Sequence, residues 1–264
     1  MGSFFISGKP GSGKTTLACS MVKLGYRVLL IDLDGKARTM YNLKPWIEDG
    51  SIEVIELESE MSESSLKQVA LGGAKYFPKK QPQGYVEFTE IIDGLKDDPP
   101  EDHDRVVPVI DSMTRVNEHL KRLIKFFVKK PKLDFDGWDA VLNNYEELFT
   151  TFFKLQPKIY PHCIVTAHIR DDYDESGALV QYKPLIDGQF REKAAGYVDE
   201  AYYCEVAATN RNQPAKFMVY TKPIGLIKHA RSSRPMKTYV EADMEVLLSD
   251  LALGEETEEE EEEE

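Results

Sequence analysis

"GKPGSGKTTLA", Gly8 to Ala18, follows directly on the apolar run "SFFIS" and governs the reading of the rest of the chain. Gly8, Gly13, Lys14 and Thr15 satisfy G-x-x-x-x-G-K-[ST], the spacing of a phosphate-binding loop. Glycines let the backbone fold back so that successive N–H groups converge on an anion. The lysine adds charge beside the outer phosphates, and the threonine hydroxyl serves Mg²⁺. Phe4, Phe5 and Ile6 read as a buried strand, and Thr16 to Leu24 as the helix whose N-terminus faces the phosphates. A glycine-rich turn with a chance lysine is the competing reading, and it explains neither flank. The loop from Gly8 through Lys9, Pro10, Gly11, Ser12, Gly13, Lys14 and Thr15 to Thr16 is therefore expected to bind ATP and, after turnover, ADP, with Mg²⁺ as cofactor.

Composition bounds the rest. With 264 residues, 42% of them hydrophobic, the chain can build one large α/β domain, expected over residues 1–253. No apolar run is long enough for a bilayer and Met1 leads straight into a strand, so a cytoplasmic protein with no membrane partner is expected. Cys19, Cys163 and Cys204 lie far apart and form no C-x-x-C, which reads as reduced, buried thiols. The net charge is −13, but nine glutamates (Glu255, Glu256 and Glu258 to Glu264) carry nine of those charges, leaving −4 elsewhere. Residues 254–264 read as a disordered acidic tail, because like charges repel and nothing there can be buried.

Along the chain, "YRVLLIDLD", Tyr26 to Asp34, reads as a buried parallel strand ending in Asp32 and Asp34. Ligands of open α/β sheets sit at that end of a strand. "SIEVIEL" is a further strand, residues 59–84 a polar surface excursion, and "YVEFTEIIDGL" a helix. "RVVPVIDS", Arg105 to Ser112, is a strand closing on Asp111, where a carboxylate holds Mg²⁺ through water. Val116, Leu120, Leu123, Ile124 and Phe127 form one helical stripe, with Arg122, Lys125 and Lys129 on a solvated outer face. "DGWDAVLNNYEELFTTFFKL" is a second helix with Asp136 as its N-cap. "HCIVTAHIR" is a strand ending at His168. "AYYCEVA", "KFMVYT" and "GLIKHA" read as antiparallel strands, and Met244 to Leu251 as a closing helix.

Taken in order, "GKPGSGKTT", "LLIDLDGKA", "VIDSMTRV", "FDGWDAV", "IVTAHIRDD" and "PLIDGQFREKAAGYVDEAYY" resemble the RecA-like P-loop ATPases. The pattern is most similar to the single-domain RecA-fold nucleotide-binding proteins of bacteriophages implicated in single-strand annealing and recombination. The resemblance spans Gly2 to about Ile227. It implies an α/β fold with a mostly parallel central sheet, helices on its faces and antiparallel strands extending it near the C-terminus. It assigns Lys14 to phosphate, Thr15 and Asp111 to Mg²⁺, Asp34 to the catalytic carboxylate with Asp32 beside it, and His168 to sensing the γ-phosphate. Lys222 and Arg191 match basic residues that reach a neighbouring subunit's nucleotide in some relatives. The implied role is ATP hydrolysis in DNA recombination, repair or replication. The implied partners are single-stranded DNA, a single-strand-binding or recombination protein, and further copies of this chain.

Two departures qualify that role. The first DNA loop of recombinases would fall near Lys130 to Trp138, but the second, "RDDYDESGALVQYKP", reads as an acidic hairpin, and acidic residues oppose counterion release from nucleic acid. The reading also expects no N-terminal extension of the filament-linking kind. A small-molecule P-loop kinase is one alternative, although the segment after Arg170 makes a poor arginine-rich lid. A non-hydrolysing, nucleotide-dependent protein switch is the other, since Asp34 is one methylene shorter than the usual glutamate.

Overall fold

The computed structural model describes residues 2–57, 81–207 and 215–254. Strand β1, Gly2–Gly8, is buried at every position. Its side chains alternate between two apolar layers: Phe4 and Ile6 face one and Phe5 faces the other. The same division runs through β2, Arg27–Asp32, and β4, Val106–Asp111. Val28, Leu30, Val107 and Val109 join Phe4, while Leu29, Ile31, Val106 and Ile110 join Phe5. Strands buried on both faces need continuous apolar sequence, which is why "VLLI" and "VVPVI" carry no alternation.

The layer on the Phe4 side is completed by α1, Lys14–Cys19, and by α7, Met244–Leu248. On the Phe5 side lie α3, Gly84–Asp97, α4, Met113–Val128, and α5, Phe135–Lys154. A short α2, Lys44–Glu48, precedes β3, Ile52–Glu56. Strand β5, His162–Tyr173, lies between β4 and β1. The sheet order is β3-β2-β4-β5-β1-β7-β8-β9, where β7 is Glu200–Ala207, β8 Lys216–Tyr220 and β9 Tyr239–Glu241. Pairings from β3 to β7 are parallel, and β7-β8 and β8-β9 are antiparallel. The expected architecture is present: a mostly parallel sheet between helices, extended by antiparallel strands toward the C-terminus.

Several local expectations are corrected. The helix after the loop is α-helical only to Cys19 and continues as a 3₁₀ turn, Ser20–Leu24. Ser20 turns its hydroxyl onto the Leu17 carbonyl at 2.7 Å and receives Met244 N–H at 2.9 Å, a local bond that competes with the helical ladder. The cap of α5 is Asp134, which accepts from Gly137 N at 3.1 Å, so Asp136 lies in the first turn. The apolar stripe of α4 is buried at Val116, Leu120 and Ile124, whereas Phe127 is 61% exposed one residue before the helix ends. Strand β5 passes His168 and forms an antiparallel hairpin with β6, Leu179–Pro184, as the acidic segment suggested. "AYYCEVA" pairs parallel with β1, because the crossover containing α6, Phe190–Lys193, returns the chain in that direction. "GLIKHA" makes only isolated bridges, with Gly225 at φ 50° turning the chain between Ile224 and Ile227. Of the excursion expected over 59–84, residues 59–80 lie outside the described residues and Gly84 already opens α3; of the tail expected over 254–264, residues 255–264 lie outside them.

Candidate active site

The phosphate loop joins β1 to α1. Gly8 is required by close approach: a Cβ there would lie 2.4 Å from the Cys204 carbonyl oxygen and 2.5 Å from Ser12 Oγ. Gly13 caps α1 with φ 88°, a left-handed conformation, and its Cβ would meet the Phe217 ring at 3.0 Å. With those two positions fixed, the first-turn N–H groups of Lys14, Thr15 and Thr16 point out of the helix end, where no intrahelical carbonyl can receive them. Lys14 is buried, and its Nζ donates to the carbonyls of Gly8 at 3.1 Å and Lys9 at 2.9 Å. Burial lowers its pKa, against the opposing influence of Cys204, Asp111 and Asp34. Thr16 Oγ1 accepts from Asn42 Nδ2 at 2.7 Å, a contact that no motif announced.

Asp111 ends β4 and is buried. Thr15 Oγ1 donates to its Oδ2 at 2.7 Å, and Thr166 Oγ1 donates to its Oδ1. Burial pushes this carboxyl upward, and the two hydroxyls oppose the rise. A hydroxyl and a carboxylate already in contact beside the phosphate loop form an oxygen pair whose chemistry would suit Mg²⁺. Among the described residues no cluster of three or more His, Cys, Asp or Glu side chains forms a metal site. The three cysteines are free and buried.

Asp32 and Asp34 have different tasks. The buried Asp32 carboxylate accepts from the backbone N–H groups of Asp34, Gly35, Lys36 and Ala37 at 2.7–3.0 Å. It is wholly committed to shaping the turn after β2. Asp34 instead faces three side chains: Arg115 Nε donates to its Oδ1 at 2.7 Å, Ser112 Oγ lies 3.4 Å from Oδ2, and His168 Nε2 lies 3.6 Å from Oδ2. His168 and Arg115 hold its carboxyl at about 2, against the opposing effect of burial. The β1–β5 register sets His168 opposite Gly8, and the His168 N–H donates to Thr114 Oγ1 at 3.0 Å. The structure thus brings Asp34 and His168 together, and joins Lys14, Thr15 and Asp111 around the loop. Arg191 gives its Nε to the Gly188 carbonyl at 2.8 Å and Lys222 is exposed; neither is among the partners of Asp34 or Asp111.

Arg115 is the residue that sequence reading missed. Its signal was its place in "VIDSMTR", four residues after Asp111, but nothing in the sequence shows which acid it meets. The connection from α4 to α5 exposes Phe127, Phe135 and Trp138 beside Lys129, Lys130 and Lys132, with Lys130 paired to Asp134. The acids of the β5–β6 hairpin are partly used internally: Asp174 caps its turn, and Asp172 pairs with Lys183 at 2.9 Å. Among the described residues no helix is long and apolar enough to cross a membrane.

A family model described as an AAA domain matches residues 2–226. Among solved structures, the chain is similar to the KaiC-like protein PH0186 of the hyperthermophilic archaeon Pyrococcus horikoshii OT3, at 13% identity and a TM-score of 0.41, over 83% of this chain and 78% of that one. It is also similar to the RadB recombinase, at 13% identity and a TM-score of 0.44, over 85% and 84% of the two chains. At these scores neither likeness bears on substrate or partner. No curated protein sequence matches the chain.

Proposed function

Since this chain belongs to the AAA-domain family and has a RecA-like P-loop fold, we propose that it binds Mg²⁺–ATP at Gly8–Thr16 and hydrolyses it to ADP and phosphate. The observation that carries this reading is the convergence of two groups on the C-terminal ends of adjacent strands. Thr15 and Asp111 meet at 2.7 Å on one side of the loop, and Asp34 stands 3.6 Å from His168 beyond it. In this reading the loop N–H groups and Lys14 hold the phosphates, Thr15 and Asp111 hold Mg²⁺, Asp34 takes a proton from water, and His168 reads the terminal phosphate. Bound Mg²⁺ supplies charge neutralisation at the outer phosphates. The decisive measurement is phosphate release from ATP with and without Mg²⁺, on the wild type and on Asp34→Asn. No metal-dependent release by the wild type would end the hydrolytic reading.

The biological setting proposed is DNA recombination, repair or replication of the phage type, with single-stranded DNA met at the α4–α5 connection. Exposed Phe127, Phe135 and Trp138 among Lys129 and Lys132 offer stacking faces beside cations. Fluorescence anisotropy of a labelled oligonucleotide across a salt series tests this, with Trp138→Ala and a chain lacking residues 255–264 as comparisons. Absence of binding at low salt in both full-length and truncated chains would remove DNA from the reading. A non-hydrolysing switch is the second reading, favoured by one observation: Arg115 already occupies the Asp34 carboxylate.

A further inference from the structure

Arg115 lies in the first turn of α4, and its guanidinium is held by two acids. Nε donates to Asp34 Oδ1 at 2.7 Å, and Nη1 donates to Glu118 Oε2 at 2.7 Å. Its side chain is 41% exposed, that of Asp34 14%. It belongs to neither apolar layer, so turning it away from Asp34 would break no core packing. The carboxylate it holds also faces His168, and His168 is the register partner of Gly8, where the phosphate loop begins. The arginine fork therefore stands one carboxylate away from the end of the cleft where His168 and the loop converge.

Two charge arguments bear on that placement. A guanidinium matches phosphate oxygens as well as carboxylate oxygens, with two parallel donors. A triphosphate in the loop would offer Arg115 a partner carrying more negative charge than the single Asp34 carboxylate. The resting arrangement is also poorly suited to catalysis, because His168 and Arg115 together keep the Asp34 carboxylate a weak base, and the departure of Arg115 would remove one of the two.

We propose that Arg115 exchanges partners when the triphosphate binds, its fork passing from Asp34 to the terminal phosphate. There it stabilises the charge developing on the phosphoryl oxygens, and Asp34 becomes free to act. In the step itself the oxygen of water bonds to the terminal phosphorus. The bond from that phosphorus to the bridging oxygen breaks, and its electron pair leaves with ADP. The water proton passes to the Asp34 carboxylate. Arg115 would thus be a catalytic residue supplied by the same chain, and this role rests on the ATPase reading above.

The test uses the full chain with Arg115→Ala and Arg115→Lys, each first shown to fold by circular dichroism. Calorimetry gives affinities for ADP and for a non-hydrolysable ATP analogue, and single-turnover experiments give the hydrolysis rate. For Arg115→Ala we expect analogue affinity to fall about tenfold and ADP affinity to stay within about twofold, because only the analogue offers a terminal phosphate. Hydrolysis should fall by about 10²-fold or more, in line with arginines that stabilise phosphoryl transfer. Arg115→Lys keeps the charge without the fork and should recover part of both losses; it also serves if the alanine variant does not fold. A faster Arg115→Ala enzyme would overturn the proposal by making the contact a brake alone. Equal losses for ADP and analogue would overturn it by tying Arg115 to the loop instead, and unchanged affinities and rate would overturn it outright. Failure of the underlying reading looks different: Asp34→Asn would hydrolyse normally, or Lys14→Ala would bind both nucleotides as the wild type does.

Discussion

The phosphate loop and the first turn of α4 meet at one cleft but are made of different material. The loop is built from backbone: Gly8 is forced by a carbonyl 2.4 Å from its absent Cβ, Gly13 by a left-handed turn at φ 88°. The α4 turn is built from side chains: Ser112, Thr114 and Arg115 reach Asp34 and His168 from a different strand-helix junction. Backbone geometry leaves a fixed spacing of glycines in the sequence. A side-chain network between residues 34, 112, 115 and 168 leaves no spacing at all, because the sheet order decides who meets whom.

The sharpest way to break that contrast is at Lys14, the buried side chain that bonds the loop's own carbonyls. Lys14→Ala is expected to abolish measurable ATP binding by calorimetry while the circular dichroism spectrum is retained, since the lysine bonds only the loop's own carbonyls of Gly8 and Lys9 and belongs to no apolar layer. Undiminished affinity would mean that the loop is ornamental.

Next in size is the separation of two aspartates at the end of β2. Asp34→Asn should keep ATP affinity and slow hydrolysis by about 10²-fold. Asp32→Asn should leave the chemistry in place and lower stability by about 1–2 kcal/mol in urea unfolding, because its carboxylate caps four backbone N–H groups. Swapped outcomes would reverse the assignment. Asp111→Asn should raise the Mg²⁺ concentration needed for half-maximal hydrolysis about tenfold, since it weakens the partner of Thr15.

The smallest expected effects concern pH. Burial lowers His162 and His229 to about 4. An unfolded histidine takes up its proton near 6.5, so on acidification the unfolded state binds protons first. Stability should therefore begin to fall below about pH 6.5 and keep falling toward about 4, where the folded histidines also titrate. Asp34 adds a second, more acidic limb: its contribution is complete above the ordinary carboxylate range and is lost as pH falls through about 2. Urea midpoints measured against pH check both limbs, and a profile flat from pH 7 to 4 would contradict the buried, neutral histidines.

What could be read from the sequence follows the same division. The buried strand closing on Asp111, the loop and the acidic hairpin were legible, because each is encoded by contiguous residues; the strand read as Tyr26 to Asp34 ends at Asp32, whose carboxylate turns Asp34 out of it. The true cap of α5 was missed by two positions, since Asp134 and Asp136 carry the same chemistry and only the backbone chooses between them. Phe127 fitted the helical stripe but lies near the helix end, where Lys129 turns the chain at φ 53°. The parallel direction of β7 was hidden because periodicity shows that a strand exists and not which way it runs. Arg115 was illegible as a site residue because its partner lies 81 positions away.

Strand β5 does not stop at the sheet. It continues through His168 to Tyr173, five residues and about 16 Å of strand with a register shift at Asp172–Tyr173, and there it forms a hairpin whose Tyr182 ring lies 4.9 Å under Lys9 Nζ of the phosphate loop. The same tyrosine anchors the hairpin elsewhere: its ring stacks on Tyr203 of β7 at 5.7 Å, and its N–H donates to the Leu226 carbonyl at 2.8 Å. One ring thus joins the phosphate loop, the hairpin and β7, so that on the proposed reading a change at Lys9 would reach all three through Tyr182.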